Sequence, residues 1–436
     1  MSKQQSPFAV FFALRNALEH NPATVYKAVY LGEMVDAVRR FGWGVECHDL
    51  DVDTPSLTKY IEVFLKSPSL ILIWCDVHQA RLAKQIAELA KKVSPETPVL
   101  VYGRATAFMP QYFERPPFDA IHVSGDREAA IIDYIETIGT SRPPAGWSIF
   151  SPEEKRYVRH QGQRLAPANW PVPSLVDLPL DKYAEFTRNT HGKDYRTRLA
   201  ITVSKGCDFG CAYCGAPQEE GAIDRRRPIS HVFKWIDESG FKKRSETLHL
   251  FASTLFANRT WMRDFCNEYI RRGDTFTWRG VTTIKSLLNE EIIHLAGKAR
   301  CIELAVGIET LSRSHDRTAK SSISELESVI KMARNSGIRL KGLVMLGYPG
   351  QNEDDVLRLE EFAQEWGIML RYTGYTPLHQ LRSKTAVELD AITIESYDRR
   401  TYFDAEATDL SADFFFERIV RNGGYYVPSD MNALSV

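Results

Sequence analysis

The sequence predicts an α/β protein in two consecutive parts: a doubly wound parallel-sheet domain, then a partial (β/α)6 barrel, ended by a short helical segment. Three observations carry this. Between residues 8 and 138, five short apolar runs alternate with amphipathic helical patterns, the order of a parallel sheet with helices on its faces. From 198 to 372, six strand-like runs alternate with helical patterns, and six repeats rather than eight make an open barrel. Between the two series lie R-P-P-A-G, P-A-N-W-P-V-P and L-P-L-D, proline-dense and without period, as in an extended connection.

The first series places strands at Phe8-Leu14, Gly44-His48, Leu70-Trp74, Val99-Tyr102 and Ala120-Val123. Helical patterns cover Tyr30-Phe41, Ser56-Lys66, Gln79-Val93, Ala107-Glu114 and Arg127-Ile138. The second places strands at Arg198-Ser204, Thr247-Phe251, Phe276-Val281, Cys301-Val306, Arg339-Met345 and Ile368-Tyr372. Its helices fall at Ile229-Glu238, Thr260-Arg271, Asn289-Ala296, Ser322-Ser336 and Asn352-Glu365. The divisions that follow are 1–140, a linker over 141–195, the barrel over 196–384, and a C-terminal extension over 385–436. Trp147, Trp170 and Tyr183 are expected to pin the linker across the domain interface. In the extension, D-L-S-A-D-F-F-F-E-R-I-V-R-N reads as an amphipathic helix ended by Gly423, and the tyrosines of G-G-Y-Y-V-P-S-D are placed to close the barrel. Both fold types bind ligands at the carboxyl ends of their strands, so the cleft between them is the expected site.

Composition narrows the function. A formal charge of -1 over 436 residues gives no field that would gather nucleic acid or an acidic membrane, and no apolar stretch is long enough to span a bilayer. The expected substrate is a small molecule or a peptide. Of seven cysteines, Cys47, Cys75, Cys266 and Cys301 lie singly in strand or helix patterns as small apolar residues. That usage excludes a disulfide framework and a second metal cluster, and places the chain in a reducing cytoplasm.

The other three cysteines sit together in V-S-K-G-C-D-F-G-C-A-Y-C-G-A-P-Q, Val203 to Gln218. A C-x3-C-x2-C spacing puts Cys207, Cys211 and Cys214 on one tight loop, suited to three corners of an iron-sulfur cube and leaving the fourth iron open to a small molecule. Structural zinc is the alternative; it usually wants four ligands in two pairs, and no second Cys/His pair lies nearby. A disulfide would leave an odd thiol.

This motif, with Tyr213 just before the third cysteine, resembles the signature of the radical S-adenosylmethionine (SAM) superfamily. The resemblance implies a 4Fe-4S cluster whose open iron is chelated by SAM, reductive cleavage of SAM, and hydrogen abstraction from substrate by the 5′-deoxyadenosyl radical. It implies a flavodoxin or ferredoxin as electron donor, and Tyr213 beside the adenine. G-I-E-T, Gly307 to Thr310, resembles the family's fourth-strand G-x-E-S, making Glu309 a contact to the ribose or amino group of SAM. L-G-Y-P-G-Q, Leu346 to Gln351, resembles the fifth-strand turn beside the adenine, where Gly347 and Gly350 permit close approach. The second strand ends L-F-A-S-T, where relatives carry adjacent aspartates or G-G-E. Ser253 and Thr254 then either hydrogen-bond the SAM ammonium or cap the following helix. After the last strand, Tyr375 could donate a hydrogen atom and His379 a proton to an intermediate, or both could simply pack.

The first series resembles the cobalamin-binding domain that precedes the barrel in one large subclass of this superfamily. Y-L-G-E-M-V-D-A-V-R-R-F-G looks like its first helix, and V-L-V-Y-G-R-A-T-A like its third-to-fourth segment, with Arg104 where a second glycine is customary. F-D-A-I-H-V-S-G-D-R-E departs from Gly-Glu-Gly-Glu at Asp126 and Arg127. Arginine in place of glycine is a steric objection to a bound corrin. D-V-H-Q-A-R, Asp76 to Arg81, only superficially matches a cobalt-ligand motif, and His78 reads better as a helix-start residue beside an Asp cap; His20 is no better supported. The expected function is a radical SAM enzyme acting on a biosynthetic substrate, with C-methylation if cobalamin binds. The alternatives are cobalamin-free dehydration, epimerisation or rearrangement, and a non-catalytic cluster-binding protein.

Overall fold

The computed structural model describes residues 6–14, 28–53, 56–191, 198–211, 213–245, 247–311, 321–399 and 401–429. Strands β1 (Phe8–Ala13), β2 (Gly44–Asp49), β3 (Leu70–Trp74), β4 (Val99–Tyr102) and β5 (Ala120–His122) form a parallel sheet in the order β2-β1-β3-β4-β5. F-A-V-F-F-A and L-I-L-I-W are buried almost throughout, because helices cover both faces of the sheet and leave no position for a polar alternate. The sheet does not end at β5. Trp147–Ser151 (β6) and Arg156–Arg159 (β7) continue it antiparallel, so the stretch read from sequence as an extended connection begins with two strands. Trp147 is fully buried and donates its Nε1–H to Ala130 O at 2.8 Å, and Tyr183 donates to Asp49 Oδ2 at 2.6 Å. Both belong to the first domain. Trp170 lies between the domains, beneath Lys205 and the guanidinium groups of Arg225 and Arg227.

The chain then winds a second sheet. After β8 (Arg198–Thr202) and a two-strand hairpin, β9 (Ser204–Lys205) with β10 (Arg225–Arg226), come β11 (Thr247–Phe251), β12 (Thr277–Thr283), β13 (Cys301–Gly307), β14 (Arg339–Leu346) and β15 (Met369–Gly374). β8, β11, β12, β13, β14 and β15 run parallel in that order, the open six-stranded barrel that the alternation predicts. β16 (Tyr425–Tyr426) adds antiparallel to β15, so the C-terminal tyrosines cover one open edge. At the other, the Glu33 carboxylate of the first domain accepts the Thr202 N–H at 3.1 Å, satisfying a strand edge that would otherwise be bare. One face of the first sheet and the barrel helices share a single apolar core, bridged by Leu175, Leu178 and Leu180. Among the described residues no helix is long and apolar enough to cross a membrane.

Inside the barrel, toward the N-terminal ends of the strands, His249, Arg279, Glu303 and Lys341 are all buried. Arg279 reaches Glu303 at 3.1 Å. Burial alone would raise the Glu303 carboxyl, but Arg279, Lys341, Arg198 and Arg339 hold it down to about 2. Burial pushes Lys341 down to about 8. Because Glu303 lies below its ordinary 4.5, its contribution to stability is complete above that value and is lost as pH falls toward about 2. Glu303→Gln, which strands the buried Arg279 and Lys341, is expected to cost roughly 3 kcal/mol at neutral pH and to flatten the acid limb of the denaturant midpoint plotted against pH. An acid limb as steep as that of the wild type would contradict this.

Candidate functional site

The barrel's first strand delivers the chain into the cysteine loop. The β9-β10 hairpin forms the neck of this loop, with Arg225 opposite Lys205 and Arg226 opposite Ser204. Gly206 enters it at φ +89°, and a Cβ there would stand 2.1 Å from Ile223 O, so only glycine allows the two sides to close. Cys207 N–H donates to Gly221 O at 2.9 Å and Cys214 N–H to Cys211 O at 3.1 Å. Ala216 N–H points at Cys214 Sγ at 3.5 Å. Burial pushes the Cys207 thiol up, while hydrogen bonds from the Phe209 backbone and the Thr254 hydroxyl ease it back. The short helix Ala216–Glu220 follows the third cysteine. Among the described residues no three His, Cys, Asp or Glu side chains converge on one ion position.

Around the loop, Tyr213 and Glu309 come together: the phenol donates to Glu309 Oε1 at 3.3 Å. Burial and the Glu309 carboxylate raise the Tyr213 hydroxyl well above its usual range, so it stays protonated. Glu309 is buried just beyond the end of β13 with φ +61°, a left-handed conformation that costs a non-glycine residue strain and that its surroundings must hold in place. Ser253, just beyond β11, donates to Glu220 Oε2 at 3.3 Å, and the same oxygen accepts the Gly206 N–H at 3.2 Å. Thr254 stands at the start of a 3-10 turn without capping it through its side chain.

Two adjoining cavities of about 300 and about 250 Å³ occupy the cleft between the sheet and the barrel, sharing Arg104, Tyr213 and Leu378. The larger is walled by Asp76 and His78 from the end of β3 and by Met345, Thr373 and Tyr402 from the barrel side. The smaller is walled by Tyr30, Arg127, Cys214, Glu220 and Ser253. Asp76 caps the 3-10 turn Val77–Gln79 in a capping box, so His78 follows an Asp cap as its sequence suggests. His20 lies outside the described residues.

The remaining candidates are placed differently. His379 packs edge-on against the Phe108 ring at 5.7 Å, and Tyr375 donates its N–H to Leu346 O at 2.8 Å; neither is among the residues lining the two cavities. Gly347 N–H donates to Gln351 Oε1 at 2.7 Å, and Gly350 N–H to Ala407 O at 3.1 Å. A Cβ at Gly347 would meet the Phe415 ring at 3.2 Å, so this turn seats the C-terminal segment. Sequence reasoning missed Glu219 and Glu220. The signal available was the acidic pair between Lys205 and the R-R-R of Arg225 to Arg227, opposite charges flanking one loop.

Residues 201–363 match the model of the Radical SAM superfamily. An uncharacterised methyltransferase, PH0819, of Pyrococcus horikoshii is 22% identical over 335 residues, 75% of this chain and 70% of that one. A bacteriochlorophyllide d C-12(1)-methyltransferase of Chlorobaculum tepidum is 20% identical over 40% of this chain and 39% of its own. In fold, the chain is similar to the radical SAM methyltransferase TsrM from Kitasatospora setae, with a TM-score of 0.67 at 17% identity over 86% of this chain and 75% of that one. The cobalamin-dependent enzyme OxsB gives a TM-score of 0.67 at 16% identity, over 96% of this chain and 61% of its own.

Replacing Cys207, Cys211 or Cys214 singly by alanine is expected to abolish most iron uptake on anaerobic reconstitution, and Gly206→Ala to weaken it by deforming the neck of the loop. Iron per chain measures both, and a full complement in any cysteine variant would refute the assignment.

Proposed function

We propose that this chain, whose residues 201–363 match the Radical SAM superfamily, is an enzyme that cleaves SAM reductively and takes a hydrogen atom from a small substrate held in the interdomain cleft. The observation that carries this is the Cys214 and Ser253 wall of the smaller cavity, which places the thiol loop and a polar strand end on one space. Cys207, Cys211 and Cys214 would hold a 4Fe-4S cluster, and three thiols with an amide aimed at one sulfur suit it. Bound there, the cluster would supply the electron for reductive cleavage of SAM.

The chain's own residues then position SAM. Glu309 accepts from its ribose or ammonium, Tyr213 flanks the adenine, and Ser253 with Glu220 receives the ammonium that second-strand acids would otherwise hold. Gly347 and Gly350 shape the turn beyond. Burial keeps Tyr213 protonated, so it orients Glu309 as a donor. A cavity of about 300 Å³ supports a small molecule over a peptide, and a flavodoxin or ferredoxin serves as the one-electron donor.

Cobalamin is implied by the fold, and the residues do not fit it. Gly103, the glycine of the β4 turn, turns its bare face to the chain itself: a Cβ there would lie 2.3 Å from Cys75 O. On the cleft side Arg104 extends to Asp76 and Glu219, Arg127 extends to Glu220, and Tyr30 stacks on Trp74 at 4.9 Å. A corrin needs bare backbone there, and no step is derived through it. The relatives named as methyltransferases favour a second reading, methyl transfer to carbon, which holds only if a methyl carrier such as cobalamin binds and which product mass distinguishes.

Iron-loaded protein given SAM and a strong reductant without air is expected to form 5′-deoxyadenosine; its absence would overturn the proposal. Glu309→Gln, which removes a charge-assisted contact, is expected to weaken SAM binding about tenfold by equilibrium dialysis. Unchanged binding would remove Glu309 from the site.

A further inference from the structure

We infer that the strand ends of the first domain grip the cluster loop instead of a ligand of their own, with Asp126, Arg127 and Glu128 as positioning residues for the three thiolates. The inference rests on the radical SAM reading for what the loop holds. Three consecutive residues after β5 each pair with a different part of the loop's frame. Asp126 takes both guanidinium nitrogens of Arg225, at 2.7 and 2.8 Å, and Arg225 belongs to the strand that closes the neck. Arg127 reaches Glu220 Oε1 at 3.8 Å, at the end of the helix behind Cys214, while the other oxygen of Glu220 holds the Gly206 N–H beside Cys207. Glu128 forms an ion pair with Lys205, two residues before Cys207. Arg104, from the end of β4, adds Glu219 at 3.3 Å.

The grip therefore reaches both sides of the neck and the far side of the loop. Asp126, Glu128 and Lys205 are buried. Buried ion pairs add little to stability over an apolar contact of the same shape, whereas breaking one of them is costly. What such pairs supply here is register: each fixes one flank of the loop to the rigid sheet, and groups behind a metal's ligands set both its retention and its electronic properties. The same contacts commit the ends of β4 and β5, the part of a doubly wound sheet that ordinarily meets a ligand.

The test uses the full chain, reconstituted with iron and sulfide without air. Arg127→Ala and Glu128→Gln are expected to lose iron to a chelator at least tenfold faster than wild type and to shift the midpoint potential and electron paramagnetic resonance spectrum of the reduced cluster, with far-ultraviolet circular dichroism unchanged. Arg127→Lys, which keeps the charge, is expected to recover part of the loss. Iron release at the wild-type rate with an unaltered spectrum, in either variant, overturns the inference. If Arg127→Ala does not fold, Glu128→Gln and Arg127→Lys are read on the same two scales, and wild-type values in both overturn it. One cobalamin bound per wild-type chain, by absorption after incubation with hydroxocobalamin, also overturns it, since the strand ends cannot hold both. A wild type that takes up no iron defeats the radical SAM reading instead.

Discussion

A loop that must hold three thiols together, one of them buried and two half-buried, has no core of its own, and the rest of this molecule answers that constraint. The loop between Gly206 and Asp224 is short, rich in glycine and polar, so its shape comes from what surrounds it. The hairpin neck fixes its two ends, Gly206 lets them approach, and charged side chains from the first domain hold its flanks at Lys205, Glu220 and Arg225. The first domain is thus part of the site's frame. Its Glu33 completes the hydrogen bonding of the first barrel strand, and its apolar face continues into the barrel core.

The cleft that results is lined by several charged side chains. Arg104 is paired on both sides of the cleft, to Asp76 of the sheet and Glu219 of the loop helix. Burial opposes the Arg127 charge, while Glu219 and Glu220 favour it. The C-terminal segment completes the enclosure: Tyr402 and Gly424 line the larger cavity, and the turn at Gly347 to Gly350 seats residues 407 to 415 against the barrel.

Much of this was legible in the sequence. Alternation of apolar runs with helical periods gives the two sheets because parallel strands must be covered by helices, and the cysteine spacing gives the loop. What the sequence hid was set by long-range contact. W-S-I-F-S and R-Y-V-R are too short to announce strands among prolines, and only the edge of β5 makes them so. His379 could be read as an acid-base group or as a packing residue, and only the fold shows the short helix Leu378–Leu381 setting it against Phe108. Arg104, Asp126 and Arg127 were visible as departures from a glycine pattern. Their partners were not, since Glu219, Glu220 and Arg225 lie about a hundred residues away along the chain.

The central claim is that three thiolates hold a cluster with one corner turned toward a cavity that receives SAM. The electron paramagnetic resonance spectrum of the anaerobically reduced protein, recorded with and without SAM, tests it most directly. The account predicts a signal from a reduced 4Fe-4S cluster whose g values move when SAM is added, because SAM binds the cluster itself. A signal that SAM leaves unchanged in protein shown to bind it, or iron-free protein carrying zinc on these cysteines, would contradict the account.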